Sequence, residues 1–388
     1  MSTLGGPKVV TSGLVYAVDA ADLLSFKGEP TTNRASSPHT LTSNYAATAT
    51  PANGTNLNFT GEYNAGTVTG SGWFARTGSG GSGGIGVRYT TSWYLKAGSL
   101  SSVQLGWGGV HGGNVTNFTV NLLNGAVSSV SVASGESYGV DAMSNGYWRA
   151  WYSSTLSSST NYYPQINVGS GFIIVGGIQI EEKPYPTRFV DGTRGSTLYD
   201  LAGNARDGTL VNGPRESSER AGCISFDGTD DYISLPSIVL GNTFTLSSFV
   251  RINTTAVEGC IYGSDSNGQD NWFSIYGDKV YLYATQSADV NNRAIIGTTP
   301  MSTSSWYHAA ATVNTNTMKV YLNGVEEATL TEAFNFGGWN STGAIGRRGG
   351  LAQRYFNGSI ANLQMYNRVL SVAEIRSIYS SLRGRFGA

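Results

Sequence analysis

"GLVYAVDAADLLSF" occupies residues 13–26 and opens as a strand. Leu14, Tyr16 and Val18 alternate with Val15 and Ala17 until Asp19 stops the run, the period-two pattern of a half-buried strand. The next segment is different in kind. Pro30, in "KGEPTTNRA" (27–35), breaks any regular element, and a long Ser/Thr/Gly-rich stretch begins after it. The immediate neighbours of the strand read as another domain, so its partner must be sought further along the chain.

The 388 residues are enough for two or three domains with sizeable cores. Gly (52) and Tyr (22) are abundant and only 13% of residues are charged, which favours short strands and tight turns over helices. A net charge of −1 offers no electrostatic attraction to nucleic acid or to an anionic membrane. Apolar runs are too short for membrane insertion, and "MSTLGGPKVV" (1–10) lacks the apolar stretch of a signal peptide. The only cysteines, Cys223 and Cys260, do not make a disulfide framework and are expected as buried thiols rather than a bridge.

Turn dipeptides punctuate the chain. Asn-Gly begins at 53, 124, 145, 212, 267, 323 and 357, and Asp-Gly at 191, 207 and 227. Such pairs supply the positive φ of two-residue hairpins. Between them run alternating segments: "VRYTTSWYLKAG" (87–98), "YWRAWYSSTL" (147–156), "KVYLYAT" (279–285) and "MKVYLNG" (318–324). Short strands at this spacing predict an all-β chain of two sandwiches. The run "TGSGGSGGIG" (77–86) reads as a loop or hairpin tip. One segment is helical. In "LSVAEIRSIYSSLRGRF" (370–386), Ser371 and Glu374 form a capping box, Val372, Ile375, Ile378, Tyr379 and Leu382 form a stripe, and Gly384 is the expected stop.

Several motifs then carry a resemblance. "LYDLAGNARDGTLVNGP" (198–214), "CISFDGTDDYISLP" (223–236), "WYHAAATVN…MKVYLNG" (306–324) and "YFNGSIANLQMYNRVLSVAEI" (355–375) resemble, in order, the laminin G-like, concanavalin A-like jelly-roll family. The ending "LSVAEIRSIYSSLRGRFGA" (370–388) is similar to the close of a group of tailed-bacteriophage virion proteins. In those proteins a segment like "GLVYAVDAADLLSFKG" (13–28) directly precedes the "YDLAGN"-type motif. Here the two are separated by about 165 residues that resemble a carbohydrate-binding module, through "TTSWYLKAGSLSSVQLGW" (90–107), "NGYWRAWYSSTL" (145–156) and "IVGGIQIEEKPYPTRFVDGT" (174–193). The resemblance implies an insertion: residues 8–28 plus 196–388 form one discontinuous sandwich, and 29–195 a second sandwich placed within it. The alternative is tandem domains, with 13–26 an edge strand of the first.

Catalytic chemistry finds little support. A hydrolase needs a carboxylate pair, a nucleophile with its base, or a metal site. His39, His111 and His308 are far apart, and His308 sits at a strand position that the family fills structurally. Glu181 and Glu182 end an apolar strand; the residues alone read as a solvated strand end, while the resemblance to carbohydrate-binding modules implies a glutamate packed beside the terminal strand. No HExxH motif occurs. Asp227, Asp230 and Asp231 form the densest acidic group. Two readings stand: Asp-Gly turn chemistry, or the rim calcium site that the resemblance implies. No cofactor is required. The "SDSNGQDNW" segment (264–272) reads as a polar loop.

Sugar rings stack on exposed aromatic faces while polar groups fix their hydroxyls. The candidate glycan contacts are Trp107 and Trp151 in the inserted block, and Trp272, Trp339 and Arg347 in loop-like regions of the other, with Trp272 and Trp339 expected at the surface. Trp148 and Trp151, three apart, cannot share a face of a regular strand. The resemblance implies a non-enzymatic structural and adhesive component of a phage virion (fibre, tail-tip or capsid-decoration protein), assembled in the host cytoplasm. Its partners would be other virion proteins, further copies of itself and a host-surface glycan. The rival reading is a secreted carbohydrate-binding protein or the non-catalytic subunit of a glycan-active enzyme.

Overall fold

Leu14–Val18 pairs antiparallel with Asn357–Tyr366, near the other end of the chain: Tyr16 stands opposite Met365, Ala17 opposite Gln364 and Val18 opposite Leu363. This is seen in a computed structural model that describes residues 10–388, apart from 23, 33, 36–44, 48, 77–85, 109–115, 156–162, 191–192, 218, 267–268, 285–292, 304, 333–338 and 350–352. His39, His111 and nearly all of the Gly/Ser run at 77–86 lie outside the described residues. The chain divides into two compact units, one of residues 1–29 with 196–388 and one of residues 30–195. No described helix is long and apolar enough to cross a membrane.

The discontinuous unit is a sandwich of two antiparallel sheets. One runs, in spatial order, Arg215–Ser217, Cys223–Asp227, Asn357–Tyr366, Thr243–Ile252, Tyr307–Asn314, Thr317–Leu322 and Val325–Thr331, with Leu14–Val18 also on Asn357–Tyr366. The other runs Thr197–Leu198, Gly208–Val211, Tyr232–Gly241, Trp339–Ile345, Gly259–Ser266, Gln269–Tyr276, Lys279–Ala284 and Arg293–Ile296. Alternate residues of both fill one core, where Tyr16, Phe244, Leu246, Phe273 and Leu282 are fully buried. Asn323 and Gly324, both at positive φ, join Thr317–Leu322 to Val325–Thr331. A register shift between Leu14 and Tyr16 sends them to different clusters. Tyr16 and Val18 enter the main core, and Leu14 packs with Tyr366, Leu370 and Ile375.

The helix Val372–Phe386 covers the outer side of the first sheet. Ser371 caps it: its Oγ accepts from Glu374 N, and the Glu374 carboxylate accepts from Ser371 N. The helix does not stop at Gly384. It runs to Phe386 and ends on Gly387 at φ 67°. The cause is tertiary, because Phe386 is fully buried and stacks on Phe249 with centroids 4.3 Å apart, beside Trp306. Packing of this kind outweighs the roughly 1 kcal/mol that an interior glycine costs a helix.

The inserted unit is also a folded-over antiparallel sheet. Its spine is the long strand Tyr163–Glu181, which pairs with Tyr63–Arg76, Arg88–Ala97 and Ser102–Gly108. Trp93, Leu105, Phe118 and Ile166 lie in its core. Its two ends meet, with Thr31–Thr32 pairing with Thr193–Arg194. Glu181 is not solvated, as a strand end would be, but fully buried. It accepts from Thr31 Oγ1 (3.0 Å), Gln179 Nε2 (2.8 Å), Thr187 N (2.8 Å) and Thr187 Oγ1 (2.6 Å). A buried carboxylate persists only with such partners, and these tie the unit's entry and exit to its spine. Adjacent ends are what allow one folded unit to sit inside a loop of another. Cys223 and Cys260 are free, buried thiols.

Candidate functional site

In the discontinuous unit, the second sheet turns one side to the core and presents the other outward. Along Gln269–Tyr276, Phe273 and Ile275 point inward, so Trp272, Ser274 and Tyr276 point outward. Along Lys279–Ala284, Val280, Leu282 and Ala284 are inward and Lys279, Tyr281 and Tyr283 outward. Of segment 264–272, residues 264–266 and 269–272 are not loop but the ends of the strands Gly259–Ser266 and Gln269–Tyr276, with Ser264 opposite Asn271 and Ser266 opposite Gln269, and residues 267–268 lie outside the described ones.

Trp272 opposes Tyr283, and their rings stack with centroids 3.8 Å apart at 14°. The guanidinium carbons of Arg348 and Arg354 lie over the indole at 4.7 and 4.4 Å. Glu258 joins the group: one oxygen accepts from Trp272 Nε1 (2.6 Å) and Ser274 Oγ (2.7 Å), and the other pairs with Arg354 Nε (2.8 Å). Trp272 is therefore 3% exposed, not at the surface. The physical reason is that residues 346–349 and 353–356 lie on the outer face, with Arg348 and Arg354 over the indole. A Cβ at Gly263 would stand 2.6 Å from Gly349 N and 2.9 Å from Arg348 Cα, so only glycine allows that approach. Arg347, on the same segment, lies 3.7 Å over the ring of Tyr232.

Beyond this covered patch the face is open. Tyr276 is 54% exposed and Ile296 43%. Tyr281 is half-buried, stands opposite Ile296 and lies 5.4 Å from Tyr276 at 32°. Burial, then the Glu258 charge, pushes the Tyr281 hydroxyl up to about 12. Sequence reading missed Tyr276, Tyr281 and Glu258. The alternation of "WFSIYGDKVYLY" (272–283) places Trp272, Tyr276, Tyr281 and Tyr283 outward, but only the placement of Arg348 and Arg354 decides which remain open.

The other expected contacts are scattered. Trp339 opens Trp339–Ile345, opposite Gly241, and Trp107 lies in Ser102–Gly108, opposite Pro164; the side chains of both lie outside the described residues. Trp148 and Trp151 do take opposite faces: Trp148 packs against the core, and Trp151 lies half-buried over Gly139, where a Cβ would meet its ring at 2.6 Å.

Asp227, Asp230 and Asp231 come together, with carboxylate oxygens within 4.8 Å of one another. Asp227 Oδ1 accepts from Thr229 N (2.7 Å) and Asp230 N (3.3 Å), an Asx turn. Asp231 is buried and accepts from Asp227 N (3.1 Å), and burial pushes its carboxyl up to about 6. Asp227 and Asp231 thus accept from amides of the turn itself. His308 is fully buried; its Nε2 lies 2.8 Å from Ser247 Oγ, and burial pushes it down to about 3.

Residues 227–376 match the family model described as the concanavalin A-like lectin/glucanases superfamily. No curated protein sequence matches the chain. Among solved structures, the chain is similar to the binding domain of Paraclostridial Mosquitocidal Protein 1, at 17% identity and a TM-score of 0.41 over 48% of this chain and 50% of that one. It is similar to domain 4 of AbnA, an extracellular GH43 arabinanase of Geobacillus stearothermophilus solved with arabinotriose, at 22% identity and 0.40 over 47% and 92%. It is similar also to the binding domain of botulinum neurotoxin serotype G, at 14% and 0.40 over 47% and 48%. The chain spans about half the length of the mosquitocidal and neurotoxin structures. Residues 227–376 carry the concanavalin A-like jelly-roll fold.

Proposed function

We propose that this protein is a non-enzymatic, glycan-recognising structural component of a tailed-phage virion, a fibre, tail-tip or capsid-decoration protein that touches the host surface. The observation that carries the binding half of this reading is the open aromatic patch of Tyr276, Tyr281 and Ile296. It lies on the outer face of the second sheet, whereas the C-terminal helix packs on the first. Flat apolar rings beside fixed polar groups suit the apolar face of a sugar. The virion half is supported by the resemblance of residues 13–28 and 370–388 to phage proteins. On this reading the protein assembles as a homo-oligomer, because virion appendages follow particle symmetry, and needs no cofactor. Mass spectrometry of purified particles tests the location: the chain is expected there in stoichiometric amount. Its recovery only as free secreted protein would favour the rival, a carbohydrate-binding protein or subunit working outside any virion.

A further inference from the structure

On the inserted unit, four adjacent strands place Thr119, Gln104, Asn167 and Trp73 directly opposite one another in a single row. The residues between them in sequence, Phe118, Leu105, Ile166 and Phe74, belong to the core, so the row lies on the outer face. Every member is half-buried rather than covered. The amides are linked: Asn167 Nδ2 donates to Gln104 Oε1 at 3.1 Å, and Gln104 Nε2 donates to Asn117 Oδ1, on the diagonal, at 3.2 Å. The row crosses three strand spacings, ~14 Å, enough for a short oligosaccharide rather than one ring.

From this juxtaposition we propose that the outer face of the inserted unit is a second glycan-binding site, taking an uncharged oligosaccharide laid across the strands, with one ring on Trp73 and its hydroxyls on Asn167, Gln104 and Asn117. The proposal rests on the glycan-binding reading above and adds a location and a ligand class. The chemistry selects the class. An amide offers both a donor and an acceptor, which matches a sugar hydroxyl, itself both. The relay fixes the amides' orientation, so little ordering remains to be done on binding. No member of the row is ionisable, and neither are Ser102, Gly106 and Gln165 beside it on the same face. An anionic sugar would find no counter-charge here, and a neutral one meets no charge that must be stripped of water. The indole of Trp73 directly opposite Asn167 supplies the flat apolar surface that a row of amides alone would lack.

The test is calorimetric titration of the full chain with neutral hexasaccharides (cello-, xylo-, laminari- and mannohexaose) and with hexagalacturonate. At least one neutral probe is expected to bind, with affinity unchanged between low and high salt, and hexagalacturonate is not. Asn167→Ala and Gln104→Ala should each weaken binding by at least about tenfold, the scale of losing a hydrogen bond to a sugar hydroxyl. Thr119→Arg removes nothing from the fold and adds bulk at the row's end, so it should block binding with an unchanged melting temperature. That variant keeps the test decisive if Trp73→Ala fails to fold. Binding that survives all three row variants but is lost in Tyr276→Ala/Tyr281→Ala would overturn this site and leave the general reading standing. No binding to any probe, neutral or anionic, would overturn both.

Discussion

Arg385 grips Asp19 with both ends of its guanidinium, at 2.6 and 2.9 Å, although 366 positions separate them in sequence. The same side chain donates to the carbonyls of Arg220 (2.7 Å) and Gly222 (2.6 Å), while Asn362 donates to Asp19 Oδ2 at 3.1 Å. The pair joins the end of the first strand to the last turn of the helix, across the whole inserted unit. At 17% and 14% side-chain exposure it is largely removed from water. Removing one partner of such a pair costs about 3 kcal/mol, because the other is left charged and buried. Arg385→Ala should therefore lower the urea midpoint and speed hydrogen exchange at the Leu14–Val18 amides. Arg385→Lys should recover little, since a single ammonium cannot span both carboxylate oxygens and two carbonyls. Unchanged exchange in Leu14–Val18 would show that the strand is held without the clasp.

Phe386 should matter as much as the charge beside it. Its ring fills the space between Phe249 and Trp306. Phe386→Ala is expected to cost about 3–4 kcal/mol by cavity formation, read as a lowered denaturation midpoint with loss of helical signal.

Acid should weaken the fold through His308. Its folded value, about 3, lies below the ordinary 6.5. The stability this contributes is complete above 6.5 and is lost as pH falls from there toward about 3. By about pH 4 the loss should approach 3 kcal/mol. His308→Gln, which keeps a polar end near Ser247, should flatten the fall over this window. An identical pH profile in that variant would place the acid sensitivity elsewhere.

Asp231 acts in the opposite sense. Its carboxyl is raised from 3.8 to about 6, so its favourable contribution is present below 3.8 and lost as pH rises through 6. Asp231→Asn, a stand-in for the protonated acid, should stabilise the protein by about 1–2 kcal/mol at neutral pH, a gain that disappears near pH 4. Denaturation midpoints at the two pH values decide it.

Much of the fold was legible in the sequence, and the misses share a cause. The strands announced themselves by alternation and by their Asn-Gly and Asp-Gly turns, and the helix start by Ser371 and Glu374. These are local signals. The helix end was misplaced at Gly384 because what carries it on, Phe386 on Phe249 and Arg385 on Asp19, is remote in sequence. Trp272 was expected at the surface because an outward strand residue is exposed until something covers it, and its cover arrives from Arg348 and Arg354. Glu181 looked like a solvated strand end because its partners Thr31 and Thr187 belong to the far ends of the inserted unit. The amide row was invisible for the same reason, since Gln104 and Asn167 become neighbours only through the register of two strands 63 positions apart.

The central claim, that this protein recognises glycan through exposed side chains of a lectin-type sandwich, is tested most directly by probing an array of bacterial-surface oligosaccharides with the full chain and with Tyr276→Ala/Tyr281→Ala. The account predicts saturable binding by the native chain that falls at least about tenfold for one set of glycans in the variant, at an unchanged melting temperature. Absence of binding across the array, or binding to every glycan undiminished in the variant, would contradict it.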